Sequence, residues 1–309
     1  MYDLAIIGGG PGGVSAGVYA ARKRLKTIFI AESIGGQSTD SVEIQNWIGT
    51  PKISGLDLAK SLEEHLRAYA GDVVDIEVGM RATKVIKQGA TFVIETAKGN
   101  YEARAVLVAT GGSRRKLDVP GAVEFENKGV TYCASCDGPM FTGQDVVVVG
   151  GGNAGFETAA QLLAYCKSVT LLHRSTDFTR ADAATVEAVL AHENMRALTN
   201  TEPIAIEGKT FVDTVVIKDK VTGSETRLPA AGVFVEVGMS ANTGLVSGLV
   251  ELDNWGRIKV DGKNQRSSLV GLWSAGDCSD GLYHQNNIAA GDAVKALEDI
   301  YFYVKAHSK

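Results

Sequence analysis

Short apolar runs punctuated by glycine clusters set the pattern of this chain. The run DLAII (3–7) is followed at once by GGGPGG, and Val14 to Arg22 then place small and apolar residues at helical spacing. A second apolar run, KTIFIAE (26–32), ends in the acid Glu32. The pattern predicts a buried strand, a glycine turn, a helix and another buried strand. The same order returns in QDVVVVGGGNAGFETAAQLLAYCKSVTLLHR (144–174), with a helix expected from about Ala154 to Tyr165 and the strand SVTLLH after it. Two more apolar runs stop at glycine, VLVATGG (106–112) and LVGLWSAGDC (269–278), and both read as strands. Lys84 to Thr96 and Val212 to Leu228 predict antiparallel strands joined by polar turns.

The glycine clusters carry chemistry. Gly8, Gly10 and Gly13 form G-x-G-x-x-G, and Gly150, Gly152 and Gly155 repeat it. Each set follows a strand and opens a helix, the context in which this spacing binds a dinucleotide. The first glycine makes the tight turn, the second lets backbone approach a pyrophosphate, and the third lets helix and strand pack closely. The phosphates then lie at a helix N-terminus. A glycine turn that only packs a helix on a sheet is the alternative, and two complete frames argue against it. The second strands end differently. Glu32 suits a ribose diol, as in FAD or NAD, and would repel a 2′-phosphate; His173 and Arg174, with Arg180, suit the 2′-phosphate of NADPH, unless these arginines are only surface charges. Gly276 and Asp277 close the last apolar run, where the acid would meet the ribityl and phosphate part of FAD. The expected fold is α/β, with two Rossmann-like dinucleotide-binding domains, the second inserted into the first. The FAD domain takes 1–114 and 244–309 and the NAD(P)H domain takes 115–243, with crossings near 111–121 and 238–244 that are rich in glycine and turn residues.

Composition narrows the function. The 309 residues are 45% apolar and 22% charged with a net charge of −5, and Lys and Arg are scattered, so no nucleic-acid footprint is present. No uncharged apolar run reaches ~18 residues, and the chain enters its first strand with no targeting segment, so a cytoplasmic protein without a membrane span is expected. In that compartment the pair Cys133 and Cys136, within TYCASCDGPM (131–140), is catalytic or metal-binding more often than structural.

These residues resemble the low-molecular-weight thioredoxin reductases. GGGPGG (8–13), GGQ (35–37), ATG (109–111), CASCDG (133–138), GGGNAG (150–155), HR (173–174) and AGD (275–277) stand in that family's order across nearly the whole chain. IQNWIGTPKISG and YCASCDGPMF are also similar to the reductase core of the alkyl hydroperoxide reductase flavoprotein. The thioredoxin-like domain that precedes that core is not in this sequence, so a separate thiol carrier is expected.

The resemblance implies FAD on Gly8, Gly10, Pro11, Gly12 and Gly13, on Glu32, Gly36, Gln37 and Asn46, on Ala109, Thr110 and Gly111, and on Gly276, Asp277 and Gln285. It implies NADPH on Gly150, Gly152, Asn153, Ala154 and Gly155, and on His173, Arg174 and Arg180. It further implies a redox-active disulfide between Cys133 and Cys136, reduced through the flavin and oxidised by a thioredoxin-like protein. A homodimer is implied, as is rotation of the inserted domain about its two connections, with glycines at 111–112, 238 and 244 as hinge material. Three departures stand out. Ser175 replaces the second arginine after the histidine, and Arg180 is displaced by one residue; His284-Gln285-Asn286 replaces Arg-Gln-Ala; Ala241-Asn242-Thr243 replaces Pro-Asn-Thr. They leave open NADH or ferredoxin as donor, and oxygen as acceptor in a flavin thiol oxidase. A non-enzymatic flavin redox sensor is a further alternative.

A cysteine nucleophile must be a thiolate, and free cysteine has pKa ~8.5. CASCDG before Pro139 reads as a turn entering a short helix, whose N-terminus would help. Two intervening residues let the sulfurs close a small, exchangeable ring. Asp137, its pKa raised by partial burial, would act as general acid to a departing thiolate, and Cys136 beside it is read as the sulfur nearer the flavin. A closed zinc site needs four ligands. Cys166, expected on a helix, and Cys278 have no C-x-x-C partner, and the five histidines show no ligand spacing, so no metal is expected and both cysteines read as packing residues.

Overall fold

A computed structural model describes residues 1–41, 43–179 and 181–307. The chain divides into two compact units, Met1–Val42 with Trp47–Ser113 and Ser240–Lys309, and Glu43–Asn46 with Arg114–Met239.

The first unit begins with β1 (Tyr2–Ile7), which gives way at Gly8 to α1 (Pro11–Arg22), and β2 (Thr27–Ala31) returns parallel to β1 with all five residues buried. Pro11 starts α1 at the position where its missing N–H costs nothing. The buried face of α1 is made of small residues, among them Gly13, Ala16, Gly17 and Ala20. That lets the helix lie close to its neighbours; a Cβ at Gly17 would come within 2.7 Å of Leu66 on α2 (Gly55–Ala70). The Ser54 hydroxyl starts α2 by accepting the Asp57 N–H at 3.0 Å. β3 (Val74–Val78) extends the sheet beyond β2. β4 (Ala82–Gln88) and β5 (Thr91–Thr96) pair antiparallel and lead into β6 (Gly99–Val108). The first half of β6 pairs antiparallel with β5 as far as Ala103, and from Ala103 onward it runs parallel to β1. β7 (Gly112–Arg114) follows.

The second unit contains β8 (Val130–Thr131), α3 (Ala134–Asp137), β9 (Asp145–Val149), α4 (Asn153–Leu163), β10 (Ser168–Leu172), α5 (Ala183–Leu190) and β11 (Met195–Leu198). An antiparallel sheet of β12 (Thr201–Gly208), β13 (Val212–Asp219) and β14 (Glu225–Pro229) comes next, and then β15 (Gly232–Val235). β15 inserts between β8 and β9, giving a parallel sheet in the order β11-β10-β9-β15-β8. Its apolar strands pack on α4 through Val146, Val148, Phe156, Leu162 and Phe234, all essentially solvent-free. β16 (Met239–Ala241) pairs with β7, and the division between the units falls within these two strands. The first unit is completed by β17 (Leu272–Ser274), parallel to β6, and by α6 (Asn286–Ala306).

The α/β architecture with two doubly wound sheets matches the sequence reading, with two local differences. The apolar run 269–278 yields only the three residues of β17, because Gly271 turns the chain at φ +90° before it. The helix expected to reach Tyr165 ends at Leu163, so Cys166 lies in the following turn, where its N–H still donates to the Leu162 carbonyl at 2.8 Å.

Each sheet places a first strand between a second strand on one side and a late strand on the other: β1 between β2 and β6, β9 between β10 and β15. The crevice outside the carboxyl ends of such strands, where the winding reverses, is where doubly wound sheets bind ligands.

Candidate functional site

The two glycine turns repeat the same contacts. Gly8 has φ +123° and Gly150 φ +126°, and a Cβ there would fall 2.1 Å from the Ala109 carbonyl oxygen or 2.2 Å from that of Glu236. A Cβ at Gly13 or Gly155 would strike the carbonyl oxygen of Gly8 or Gly150, at 1.9 and 1.8 Å. At Gly10 and Gly152 a Cβ would meet nothing within 4 Å, so the backbone is open on that side. Neither α1 nor α4 has a side-chain cap, which leaves their first N–H groups as donors for an anion. Both cradles fit the pyrophosphate of a dinucleotide.

Around the first turn the structure gathers most of the expected flavin residues. The Gly35 N–H donates to the Gly9 carbonyl at 2.8 Å, which brings Gly36 against Gly10. Gln37 Nε2 donates to the Gly112 carbonyl at 2.5 Å. Thr110 Oγ1 donates to the Asn242 carbonyl at 2.7 Å, and Asn242 Nδ2 donates back to the Thr110 carbonyl at 3.1 Å, tying Ala109-Thr110-Gly111 to the chain after β16. Gly12 and Gly276 converge on Ala289 in the first turn of α6, whose N-cap is Gln285. Asp277 Oδ1 lies 3.4 Å from His284 Nδ1, and His284 Nε2 lies 3.3 Å from Arg257, which is itself paired with Asp253 at 2.7 Å. Arg257 therefore stands behind the histidine that replaces the family's arginine. Glu32 is exposed just past β2, 3.9 Å from Arg81. Asn46 falls in the stretch grouped with the second unit.

In the second unit Ala154 is exposed in the first turn of α4, and Asn153 Oδ1 accepts the Asp182 N–H at 2.7 Å, which ties the turn to the start of α5. The His173 ring covers Gly151, where a Cβ would lie 2.6 Å from it, and stands 5.2 Å from the Phe178 ring. The Arg174 carbonyl accepts Lys220 Nζ at 3.3 Å, so a second cation adjoins the end of β10. Arg180 lies outside the described residues.

Cys133 and Cys136 form a disulfide with Cα atoms 5.3 Å apart. Cys133 caps α3 and Cys136 lies within it; the N–H groups of Cys136 and Asp137 donate to the Cys133 carbonyl at 3.3 and 3.0 Å. A four-residue helix has a weak dipole, so its terminus offers a thiolate less than the sequence reading expected. Thr131 at the end of β8 does more: its hydroxyl donates to Asp137 Oδ2 and accepts the Cys133 N–H at 3.3 Å. Burial pushes the Asp137 carboxyl above its ordinary range, against the opposing pull of the Thr131 hydrogen bond and of Arg114. The motif is clamped on α4, where Ser135 Oγ donates to Gln161 at 3.1 Å and the Tyr165 hydroxyl occupies the space a Cβ at Gly138 would need.

Three residues that the sequence reading passed over belong here: Thr131, Arg114 and Glu236. Thr131 and Arg114 carry no signal in their neighbourhoods. Glu236 does, as the lone charge in the apolar run AAGVFVEVGM (230–239). The other cysteines are free and buried; burial pushes Cys166 up to about 11 and raises Cys278 as well, which makes both poor nucleophiles. Among the described residues no cluster of three or more His, Cys, Asp or Glu could hold a metal ion, and no helix is long and apolar enough to cross a membrane.

Two doubly wound units repeat one glycine turn, and one of them also carries a C-x-x-C disulfide beside a partly buried acid. The chain belongs to the pyridine nucleotide-disulphide oxidoreductase family, whose model matches residues 2–293. It is 38% identical to an NADH dehydrogenase of Bacillus subtilis and 36% identical to an alkyl hydroperoxide reductase subunit of Escherichia coli, each over 98% of this chain and 58% of the relative. It thus spans less than two thirds of those relatives. It is also 38% identical to a thioredoxin reductase of Mycolicibacterium smegmatis, over 97% of this chain and 95% of that one. The crystal structure of thioredoxin reductase from Streptococcus pyogenes superposes with a TM-score of 0.89 at 35% identity, covering 99% of both chains.

Proposed function

We propose that the chain is an FAD-dependent reductase that takes electrons from NADPH and passes them, through Cys133 and Cys136, to the disulfide of a small thioredoxin-like protein. The observation that carries this reading is the Cys133–Cys136 disulfide set against the partly buried Asp137, in the unit that also holds the second glycine turn.

FAD, when bound, supplies a two-electron relay between a nicotinamide and a disulfide. The first glycine turn, with Gly36, Gln37 and Asp277, would hold it; the second turn, with His173 and Arg174, would hold NADPH. Once the cysteines are reduced, one thiolate attacks the partner disulfide. A mixed disulfide forms, and the departing partner sulfur takes the proton that Asp137 holds at its carboxyl. The remaining cysteine thiolate then displaces the second partner sulfur, which re-forms Cys133–Cys136 and frees the partner as a dithiol. Thr131 aims the Asp137 carboxyl and fixes the backbone at Cys133 throughout.

Ser175, standing where a second arginine would help grip a 2′-phosphate, favours a second reading in which NADH is the donor. Anaerobic titration of the flavin-loaded protein with NADPH and, separately, NADH tests both. The expected result is bleaching of the flavin at lower NADPH than NADH, followed by two new thiols and by reduction of an added thioredoxin-like disulfide. Bleaching without new thiols, or oxygen uptake that needs no disulfide protein, would overturn it.

A further inference from the structure

We infer that Glu236 senses the charge of the nicotinamide ring: its carboxyl, at the crossing point of the second sheet, binds the nicotinamide half of the dinucleotide and, when ionised, favours the oxidised cationic ring over the reduced neutral one. The inference rests on the proposed binding of a nicotinamide dinucleotide by the second unit and adds a residue to that site.

Its position carries the argument. β9 is flanked by β10 on one side and β15 on the other. The pyrophosphate belongs at Gly150–Gly155, and the adenosine half belongs on the β10 side, where His173 and Arg174 close the strand. The other half must cross the switch point toward β15. Glu236 is the first residue past β15; its N–H donates to the Val149 carbonyl at 2.8 Å, and its own carbonyl abuts Gly150. The corresponding neighbour of Gly8 in the first unit is Ala109, which carries no charge. Thr158 Oγ1 on α4 donates to Glu236 Oε1 at 2.8 Å and leaves Oε2 for a ligand.

The charged groups that face this carboxyl are Arg114, which favours its ionised form, and Glu157 on α4, which opposes it. Burial is the largest influence and pushes the group up to about 7, so its charge changes in the range where such enzymes work. A carboxylate beside the ring stabilises the positive charge that appears as hydride departs, and binding the oxidised dinucleotide must in turn expel the Glu236 proton.

The test compares NADP⁺, whose ring is cationic, with tetrahydro-NADP, a neutral analogue that gives no hydride. Affinities of both for the oxidised, flavin-loaded protein are measured from about pH 6 to about pH 8, so that titration of the shared 2′-phosphate cancels in their ratio. The wild type should favour NADP⁺ increasingly with pH, by about tenfold across the range. Glu236→Gln, which keeps an acceptor for Thr158, should abolish the trend. Calorimetry of the wild type in buffers of different ionisation enthalpy should show more proton release with NADP⁺ than with the analogue, the 2′-phosphate contribution being common to both, and needs no variant. A ratio independent of pH in the wild type, an unchanged trend in Glu236→Gln, or equal proton release with both ligands would overturn the inference and leave the proposed function standing. Failure of both ligands to bind would overturn both.

Discussion

The two dinucleotide units are built on one plan and differ where their ligands would differ. Both turn at a glycine near φ +125°, both leave the middle glycine open, and both press the third against the first. Beyond that frame they part. The first unit sets Ala109 against its turn and follows β2 with Glu32; the second sets Glu236 against its turn and follows β10 with His173 and Arg174. Only the second carries a disulfide. The common frame solves the common problem, a pyrophosphate at a helix N-terminus. On the proposed reading, the divergent positions would allot one unit to a resident group and the other to a dinucleotide that binds, reacts and leaves. That division of labour can be broken at graded cost.

The largest effect is expected at the disulfide. Cys133→Ser or Cys136→Ser should lower partner-disulfide reduction by more than about a thousandfold while NADPH still bleaches the flavin, as stopped-flow absorbance would show. Next come the turns. Gly150→Val should slow flavin reduction by NADPH about a hundredfold in a protein that stays yellow, whereas Gly8→Val should yield colourless protein, because a Cβ at either position collides with backbone that cannot retreat. If both variants lost flavin equally, the units would not be divided as described.

Asp137→Asn should cost about thirtyfold in partner reduction. The step needs the protonated acid, so wild-type activity should fall as pH rises through the raised Asp137 pKa, and this limb should vanish in the variant. Thr131→Val removes a hydrogen bond that lowers that pKa and should move the limb to higher pH. Glu236 sets a stability effect of opposite origin to a salt bridge. Its folded pKa is about 7, against ~4.3 in the unfolded chain. The folded state therefore keeps a proton the unfolded state has lost, and stability falls as pH rises from about 4 to about 7 and is level above, by about 4 kcal/mol. Glu236→Gln should raise the melting temperature at about pH 8 and leave it nearly unchanged at about pH 4. The smallest effect is expected at Arg174, where Arg174→Ala should narrow the NADPH to NADH ratio of kcat/KM by tenfold or less, Lys220 remaining nearby.

What could be read in advance follows how local each cause is. β1, α1 and β2 were legible because a buried parallel strand, a tight glycine turn and a small-faced helix each leave a contiguous trace. The brevity of β17 was not, since one left-handed glycine at 271 decides it. Cys133, Cys136 and Asp137 announce themselves by spacing. Thr131 and Arg114 act on Asp137 only because β7, β8 and α3 come together in the fold, a coincidence no window of sequence contains. Glu236 lay between these cases. A lone acid in an apolar strand run is a visible anomaly, but its neighbour Thr158 is far away in the chain.

On the proposed reading, electrons entering through the flavin come to rest on Cys133 and Cys136. Anaerobic dithionite titration of the flavin-loaded protein, followed by absorbance and by counting thiols, tests it directly. The wild type should consume two electron pairs per flavin and yield two thiols, and the Cys133→Ser, Cys136→Ser double variant should consume one pair and yield none. Equal consumption by the two proteins would contradict the account.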